Sequence, residues 1–219
     1  MNNIGNEIVT EYIDGLYKSN GKSKFIEELR DYGEEKNIPI IRRDVQEFIK
    51  TIIRIYKPKK ILEIGTAIGF SSILFAKYTD DDADITTLEI NEDMYNIAQN
   101  NIQKYGFENK IKVVLGDALE TMKKLDGKDY DMVFIDAAKG QYIQYLNLVL
   151  PILSEKAIIL SDNILYKGMI ADENLVTKRN KTIVKRIRKY LDLLLNSDDI
   201  HTSILPIGDG LAISYKEDK

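Results

Sequence analysis

The sequence predicts an α/β fold in which a seven-stranded, mostly parallel sheet carries helices on both faces and follows an N-terminal helical extension. From Lys60 onward, short apolar runs alternate with amphipathic helical segments, as expected for parallel strands joined by crossover helices. The last two runs are separated only by residues 206–210, which have turn chemistry. A link this short cannot form a crossover, so the last strand is predicted to be antiparallel.

Each element of this prediction follows from the apolar pattern. The predicted strands are 61–64, 85–88, 111–115, 132–135, 157–160, 202–205 and 211–215. The helices between them are predicted at about 70–78, 92–105, 118–125, 141–150 and 174–196. Ahead of the sheet, Ile8, Tyr12 and Leu16 recur at helical spacing, and Asp44 is placed to cap a third helix. We therefore expect one domain, with a helical cap over 1–57 and an α/β core over 58–219.

Composition excludes several classes of protein. The 219 residues are 44% hydrophobic, which is enough for a buried core. With no cysteine and only His201, neither a thiolate site nor a multi-histidine metal site can form, so a metal would need oxygen ligands. The net charge of −4 is mild, and neither a signal peptide nor an apolar stretch of about 20 residues is visible. We expect a soluble cytoplasmic protein with no membrane partner.

A glycine turn between the first strand and its helix is a candidate ligand site. Gly65 and Gly69 allow a tight turn and close approach of a ligand to the main chain. Ser71 and the first amides of the helix suit a carboxylate, whereas Glu63 suits an ammonium. Glu89 ends the second strand, where an acid can accept both ribose hydroxyls. The glycine spacing differs from the dinucleotide pattern G-x-G-x-x-G, and the alternative is a turn that serves backbone geometry alone.

Oxygen-bearing side chains follow the fourth and fifth predicted strands. Asp136, Asp162 and Asn163 leave the carboxyl ends of those strands and are therefore expected to converge. Two carboxylates and an amide oxygen suit Mg²⁺ or Mn²⁺. The alternative, that both aspartates are ordinary caps or turn residues, stays open on spacing alone. Lys139 lies three residues after Asp136, where a nearby cation would favour loss of its proton and so suit a general base.

Over residues 39–215, these motifs resemble the class I, Rossmann-like, cation-dependent O-methyltransferases that use S-adenosyl-L-methionine, such as catechol and caffeoyl-CoA O-methyltransferases. The resemblance implies cofactor contacts from seven residues, namely Ile41, Glu63, Gly65, Ser71, Glu89, Ala118 and Asp136. It implies Asp136, Asp162 and Asn163 as the ligands of Mg²⁺ or Mn²⁺, and Lys139 with Asp136 as the catalytic residues. A homodimer is also implied.

The acceptor is less clearly indicated. Seven basic residues crowd residues 178–189 opposite an apolar helical face, and such a surface attracts phosphates, although a solvated charged face is the alternative. The resemblance extends to bacterial tRNA 5-hydroxyuridine methyltransferases, which implies a tRNA anticodon loop as partner and 5-methoxyuridine at the wobble position as product. A small catechol or phenylpropanoid-like hydroxyl acceptor is the second reading. A cofactor-binding module without catalysis is the third.

Overall fold

A seven-stranded sheet forms the centre of the protein in the computed structural model, which describes residues 3–19, 23–125 and 129–216. The remaining residues of the predicted cap and core lie outside this described part. The strands are β1 (Lys60–Ile64), β2 (Asp84–Glu89), β3 (Ile111–Leu115), β4 (Tyr130–Ile135), β5 (Leu153–Ser161), β6 (Ile200–Leu205) and β7 (Leu211–Lys216). Their order is β3-β2-β1-β4-β5-β7-β6. β7 pairs antiparallel with both β5 and β6, and the other pairs are parallel, so the predicted topology is confirmed.

Helices cover both faces of the sheet, also as predicted. They are α1 (Asn3–Ser19), α2 (Lys24–Glu35), α3 (Arg43–Tyr56), α4 (Phe70–Tyr78), α5 (Glu92–Lys104), α6 (Ala118–Met122), α7 (Tyr142–Val149) and α8 (Lys181–Leu195). Apolar residues of α2, α3, α4 and α5 form one buried cluster with one face of the strands. Those of α6, α7 and α8 form a second cluster with the other face. Because helices cover both faces of the sheet, the apolar side chains on both sides of each strand are buried.

The long basic helix begins later than predicted. Residues 174–180 do not belong to α8, which starts at Lys181. The carboxylate of Asp172 accepts from the backbone N–H of Asn174 at 2.8 Å and so caps a separate 3-10 turn, Glu173–Leu175. A further turn brings the N–H of Lys181 within 3.1 Å of the Thr177 carbonyl before α8 begins. Short polar side chains that bond to nearby main chain compete with helix here.

Asp44 is not the cap that the sequence predicted. Helix α3 already begins at Arg43, after an extended Arg42. The Asp44 carboxylate accepts from the N–H of Val45 at 2.9 Å and from that of Gly208 at 2.8 Å. Asp44 therefore ties the first turn of α3 to the β6–β7 turn, a long-range contact that spacing could not reveal.

Helix α1 exists where predicted, but its apolar stripe faces outward. Ile8, Tyr12 and Leu16 are all exposed. Within the described part of the chain, no helix is both long enough and apolar enough to span a membrane.

Candidate active site

A cavity of about 530 Å³ opens at the carboxyl ends of the central strands. Its walls come from residues 38–41, the β1–α4 turn, the end of β2, the β3–α6 turn and the β4–α7 loop. Parallel α/β sheets place ligands at this edge, because the strand ends leave loops free to diverge around a crevice. Of the predicted site residues, Ile41, Gly65, Ser71, Glu89, Ala118, Asp136, Lys139 and Asn163 line the cavity.

The β1–α4 turn passes directly against the end of β4. Gly65 has φ +103°, a conformation that favours glycine, and a Cβ there would collide with the backbone carbonyl of Asp136. Gly69 precedes α4 with φ +81°. Ser71, in the first turn of α4, is buried and lines the cavity, as its predicted role requires.

Glu63 is the most deeply buried carboxylate of the site, with no exposed surface. Its Oε2 accepts hydrogen bonds from the hydroxyls of Ser72 and Thr87. A further hydrogen bond joins the Thr87 hydroxyl to that of Thr66. Its Oε1 is buried without a hydrogen-bond partner within the described part. Burial raises the pKa of Glu63 to about 7, although neighbouring hydroxyls oppose the shift. An unpartnered buried oxygen is costly, and an incoming ammonium group would satisfy it.

This burial gives Glu63 a measurable effect on stability. As pH rises from about 4.5 to about 7, the unfolded chain releases the Glu63 proton while the folded chain retains it, so the free energy of unfolding falls. A group this buried contributes up to about 3 kcal/mol across that window. We expect Glu63→Gln, which cannot ionise, to flatten the pH dependence of ligand-free stability in denaturant titrations. Exposed Glu108→Gln is the matched control, and equal slopes in both variants would contradict the assignment.

Glu89 performs a structural task that the sequence did not indicate. Its Oε2 accepts from the N–H of Ala67 and its Oε1 from that of Asn91, both at 2.8 Å. These bonds fix the carboxylate at the cavity wall, and each oxygen retains a lone pair for a ligand hydroxyl. Next to it, the N–H of Gly116 donates to the Glu89 carbonyl at 2.8 Å. This bond places Ala118, at the start of α6, on the same side of the cavity.

Asp136 and Asp162 meet at the ends of β4 and β5. They follow the paired residues Ile135 and Ser161, and the N–H of Asp162 donates to the Ile135 carbonyl at 3.0 Å. Asp136 lines the cavity, whereas Asp162 lies beside it and is only 2% exposed. Burial raises the pKa of both carboxyls, and the charge of Asp136 adds to the increase at Asp162. Like charges held close together favour a cation between them.

Asn163 completes this oxygen group. Its backbone adopts φ +58°, in the left-handed region, and its N–H donates to Asp162 Oδ1 at 2.7 Å. Asparagine is one of the few residues besides glycine that adopts this conformation readily. Among the residues that the structure describes, no three His, Cys, Asp or Glu side chains gather in a way that could hold a metal. The donor set here is instead two carboxylates and one amide oxygen, which suits a hard divalent cation with further ligands from water or substrate.

Lys139 begins the 3-10 turn Lys139–Gln141, and its Nζ lies 3.9 Å from Asp136 Oδ1. Its side chain is 20% exposed and lines the cavity. One turn later, Tyr142 is buried and its hydroxyl donates to the Asp162 carbonyl at 2.9 Å. Tyr142 thus packs beneath the oxygen group and joins the two strand ends.

Several residues of the site carried no sequence signal. Phe70, Met94 and Tyr145 line the cavity, yet in the sequence each belongs to an ordinary apolar helical pattern. Thr66 and Thr87 complete the buried hydroxyl chain to Glu63. His201, to which the sequence assigned no role, is exposed on β6.

The fold and this cavity define an S-adenosylmethionine-dependent methyltransferase. The sheet order sets the strand ends side by side, and the glycine turn after β1 and the acid that ends β2 line the cavity that opens there. The chain belongs to the O-methyltransferase family, whose model matches residues 17–217.

Comparison with individual proteins agrees with this assignment. A caffeoyl-CoA O-methyltransferase of Stellaria longipes is 31% identical over 171 residues, which cover 75% of this chain and 71% of that protein. A Staphylococcus aureus crystal structure, provisionally named a caffeoyl-CoA O-methyltransferase, is 40% identical with a TM-score of 0.88, over 95% of this chain and 99% of that chain. An SAH-bound methyltransferase of Podospora anserina is 26% identical with a TM-score of 0.86, over 97% of each chain.

Proposed function

We propose that this O-methyltransferase methylates a hydroxyl that has a second oxygen beside it, with Mg²⁺ or Mn²⁺ held by Asp136, Asp162 and Asn163. The observation that carries the proposal is a pair of carboxylates at the cavity edge: Asp162 is buried, and Asp136, which lines the cavity, lies 3.9 Å from Lys139 Nζ. An ordinary cap or turn residue would not need to lie beside a buried like charge. Family membership supports the same donor set.

Residues in the cavity wall and beside it divide the recognition of S-adenosylmethionine among them. Ser71 and the first amides of α4 are available to the carboxylate, and Glu63, which is fully buried and does not line the cavity, offers its unpartnered Oε1 to the ammonium group. Glu89 accepts the ribose hydroxyls, Ala118 borders the adenine, and Ile41 closes the wall over the cofactor. Gly65 leaves room for the ligand to approach the main chain. The bound cofactor supplies an electrophilic sulfonium methyl group that needs only an aligned nucleophile.

Lys139 and the oxygen group prepare the acceptor. A bound divalent cation supplies a Lewis acid that lowers the pKa of a coordinated hydroxyl. In its neutral form Lys139 would take the proton from the attacking oxygen, and Asp136, 3.9 Å away, would pair with the ammonium that results. The cavity walls align acceptor and donor, so proximity contributes much of the rate enhancement.

The acceptor that we propose is 5-hydroxyuridine in a tRNA anticodon loop. Its 5-hydroxyl and 4-carbonyl offer two adjacent oxygens, and a loop base can be splayed into a pocket. Support comes from the position of α8, where Arg186 Nη1 donates to the carbonyl of Gly140, the residue after Lys139, at 3.3 Å. The exposed Lys181, Lys185 and Lys189 share one face of that helix, so a cationic surface borders the cavity.

A small catechol or phenylpropanoid-like acceptor is the second candidate. The names of the curated relatives favour it, since several are caffeoyl-CoA O-methyltransferases. A catechol presents the same pair of adjacent oxygens, so the oxygen group does not discriminate between the two acceptors. A homodimer remains part of the proposal, and light scattering in solution tests it.

Methyl transfer from labelled S-adenosylmethionine tests the function directly. The purified protein is incubated with Mg²⁺ and either tRNA that contains 5-hydroxyuridine, the same tRNA without that base, or a simple catechol. Label only in the first tRNA supports the proposed acceptor, and label only in the catechol replaces it with the second. Tight cofactor binding without transfer to any hydroxyl would contradict the enzymatic proposal.

Charge reversal on α8 separates RNA binding from a merely solvated face. We expect Lys185→Glu with Lys189→Glu to weaken tRNA binding and to reduce the slope of log affinity against log salt by about 2. Arg186 is left intact because it contacts the Lys139–Gln141 turn. Exposed Lys104 and Lys112, near strand β3 at the far edge of the sheet, give the matched double reversal. Equal binding by both double variants would show that α8 does not contact RNA.

A further inference from the structure

An arginine of the N-terminal helices is buried beside the cofactor cavity without lining it. Arg30, in α2, is only 3% exposed. Its Nη2 donates to the Ile41 carbonyl at 3.0 Å and to Gln46 Oε1 at 2.7 Å. The carboxylate of Glu34 is 3.7 Å away but largely exposed, and Arg30 Nε has no partner within the described residues. Burying a guanidinium with incomplete partners is costly, so its contacts indicate what it is for.

Arg30 contacts two residues of the cavity wall. Ile41, whose carbonyl accepts from Arg30, lines the cavity. The Arg30 guanidinium also lies over the ring of Phe70, 4.7 Å from its centre, and Phe70 lines the cavity from the start of α4. Arg30 therefore joins α2 to two separate walls of the cavity from behind.

The rest of α2 supports the same wall. A Cβ at Gly33 would lie 3.3 Å from side-chain atoms of both Ile40 and Ile68, so the absence of a side chain allows close packing there. The Gly33 carbonyl accepts from the N–H of Ile38 at 2.9 Å. Residues 38–41, which line the cavity, are thus anchored to α2 at both ends of the segment.

A second buried arginine lacks these contacts and supplies a control. Arg43, in α3, is 8% exposed and pairs with Glu27 through two contacts, at 3.0 and 2.7 Å. It does not line the cavity, and none of its described bonds reaches residues 38–41 or Phe70. Both arginines are buried charges of the helical cap, but only Arg30 touches the cavity wall.

We propose that Arg30 is a positioning residue for cofactor binding, which holds residues 38–41 and Phe70 in the arrangement that receives S-adenosylmethionine. This inference rests on the proposed location of the cofactor in the cavity. If the wall is ordered in only a fraction of molecules, the apparent affinity falls by that fraction. Arg30 never touches the reacting atoms, so its loss affects binding and leaves the chemistry of Lys139 in place.

Calorimetric titration with S-adenosylhomocysteine tests the inference. We expect Arg30→Met to raise Kd about ten-fold and Arg43→Met less than about two-fold, although both variants lose thermal stability. Arg30→Lys keeps the charge but loses the planar guanidinium that lies over Phe70, so its Kd is expected to lie between. It also replaces Arg30→Met if that variant does not fold. Hydrogen exchange at the amides of residues 40–42 is expected to speed up only when Arg30 is changed.

The outcomes separate this inference from the proposed function. Similar Kd values for the Arg30 and Arg43 variants, or unchanged exchange at residues 40–42, would overturn the positioning role. Glu89→Ala is the test of the cavity itself. If Glu89→Ala leaves Kd unchanged, the cofactor lies elsewhere and both proposals fail. If Glu89→Ala weakens binding while Arg30→Met does not, only the Arg30 inference fails.

Discussion

Asp162→Asn is expected to lower kcat by about a thousand-fold or more while the Kd for S-adenosylhomocysteine stays within about two-fold. The lost carboxylate is one of the proposed cation ligands, and Lewis-acid catalysis is worth several kcal/mol. Asp162 is buried beside the cavity without lining it, so the cofactor contacts remain. Manganese titration followed by electron paramagnetic resonance should show weaker metal binding in the same variant.

The same substitution is expected to stabilise the metal-free protein. Burial and the neighbouring Asp136 charge raise the pKa of Asp162, which means that its ionised form is disfavoured in the fold. At about pH 8, removing that charge should increase the free energy of unfolding by about 1–2 kcal/mol. Asparagine still offers an oxygen to the Asn163 N–H. A gain in stability together with a loss of turnover distinguishes a ligand site from a folding defect.

Asp131→Asn is the matched control for this experiment. Asp131 lies near the opposite end of β4, where its carboxylate accepts from the N–H groups of Lys59 and Lys60. We expect this control to lose stability without any change in metal titration. If Asp162→Asn retains metal-dependent turnover, the proposed metal site is wrong.

Lys139→Met is expected to lower kcat by about 10²–10⁴, the usual contribution of a positioned general base. The substitution removes the ammonium that lies 3.9 Å from Asp136 but keeps an apolar stem of similar length in the cavity wall. Cofactor Kd should change little. The pH–rate profile should rise with pH without reaching a plateau, because hydroxide then becomes the main proton acceptor.

Lys167→Met controls for the loss of a positive charge near the site. Lys167 is exposed, and it is the backbone N–H, rather than the side chain, that donates to Asp209. We expect its kinetics to match those of the unaltered protein. A Lys139→Met enzyme with an unchanged kcat and pH profile would assign proton removal to another group.

Local pattern predicted most of the fold, since strand and helix positions depend on periodicity within a few residues. Helix α4 begins at Phe70 and ends at Tyr78, as the sequence indicated. The predicted start of α8 was wrong because Asp172 favours a competing turn. The predicted capping role of Asp44 was wrong because its partner Gly208 lies far away in the sequence. Both errors come from contacts that periodicity does not encode.

The candidate site was predictable only where strand ends placed it. The topology alone brings Asp136 beside Asp162, because β4 and β5 are parallel neighbours. The bonds that fix Glu89 and the burial of Arg30 depend on how separate segments pack. From the sequence, Arg30 resembles any charged residue of an amphipathic helix. Only the structure shows that Arg30 lies behind the cavity wall.

The insertion of β7 between β5 and β6 has a consequence for biosynthesis. β5 pairs with β4 on one side and with β7 on the other, so its second edge stays open until Leu211–Lys216 has left the ribosome. A nascent chain that lacks this segment presents β5 as an unpaired edge strand, which invites pairing with other chains. Stalled translation before Leu211 should therefore yield aggregates rather than a smaller active enzyme, and chaperone demand should peak at that stage.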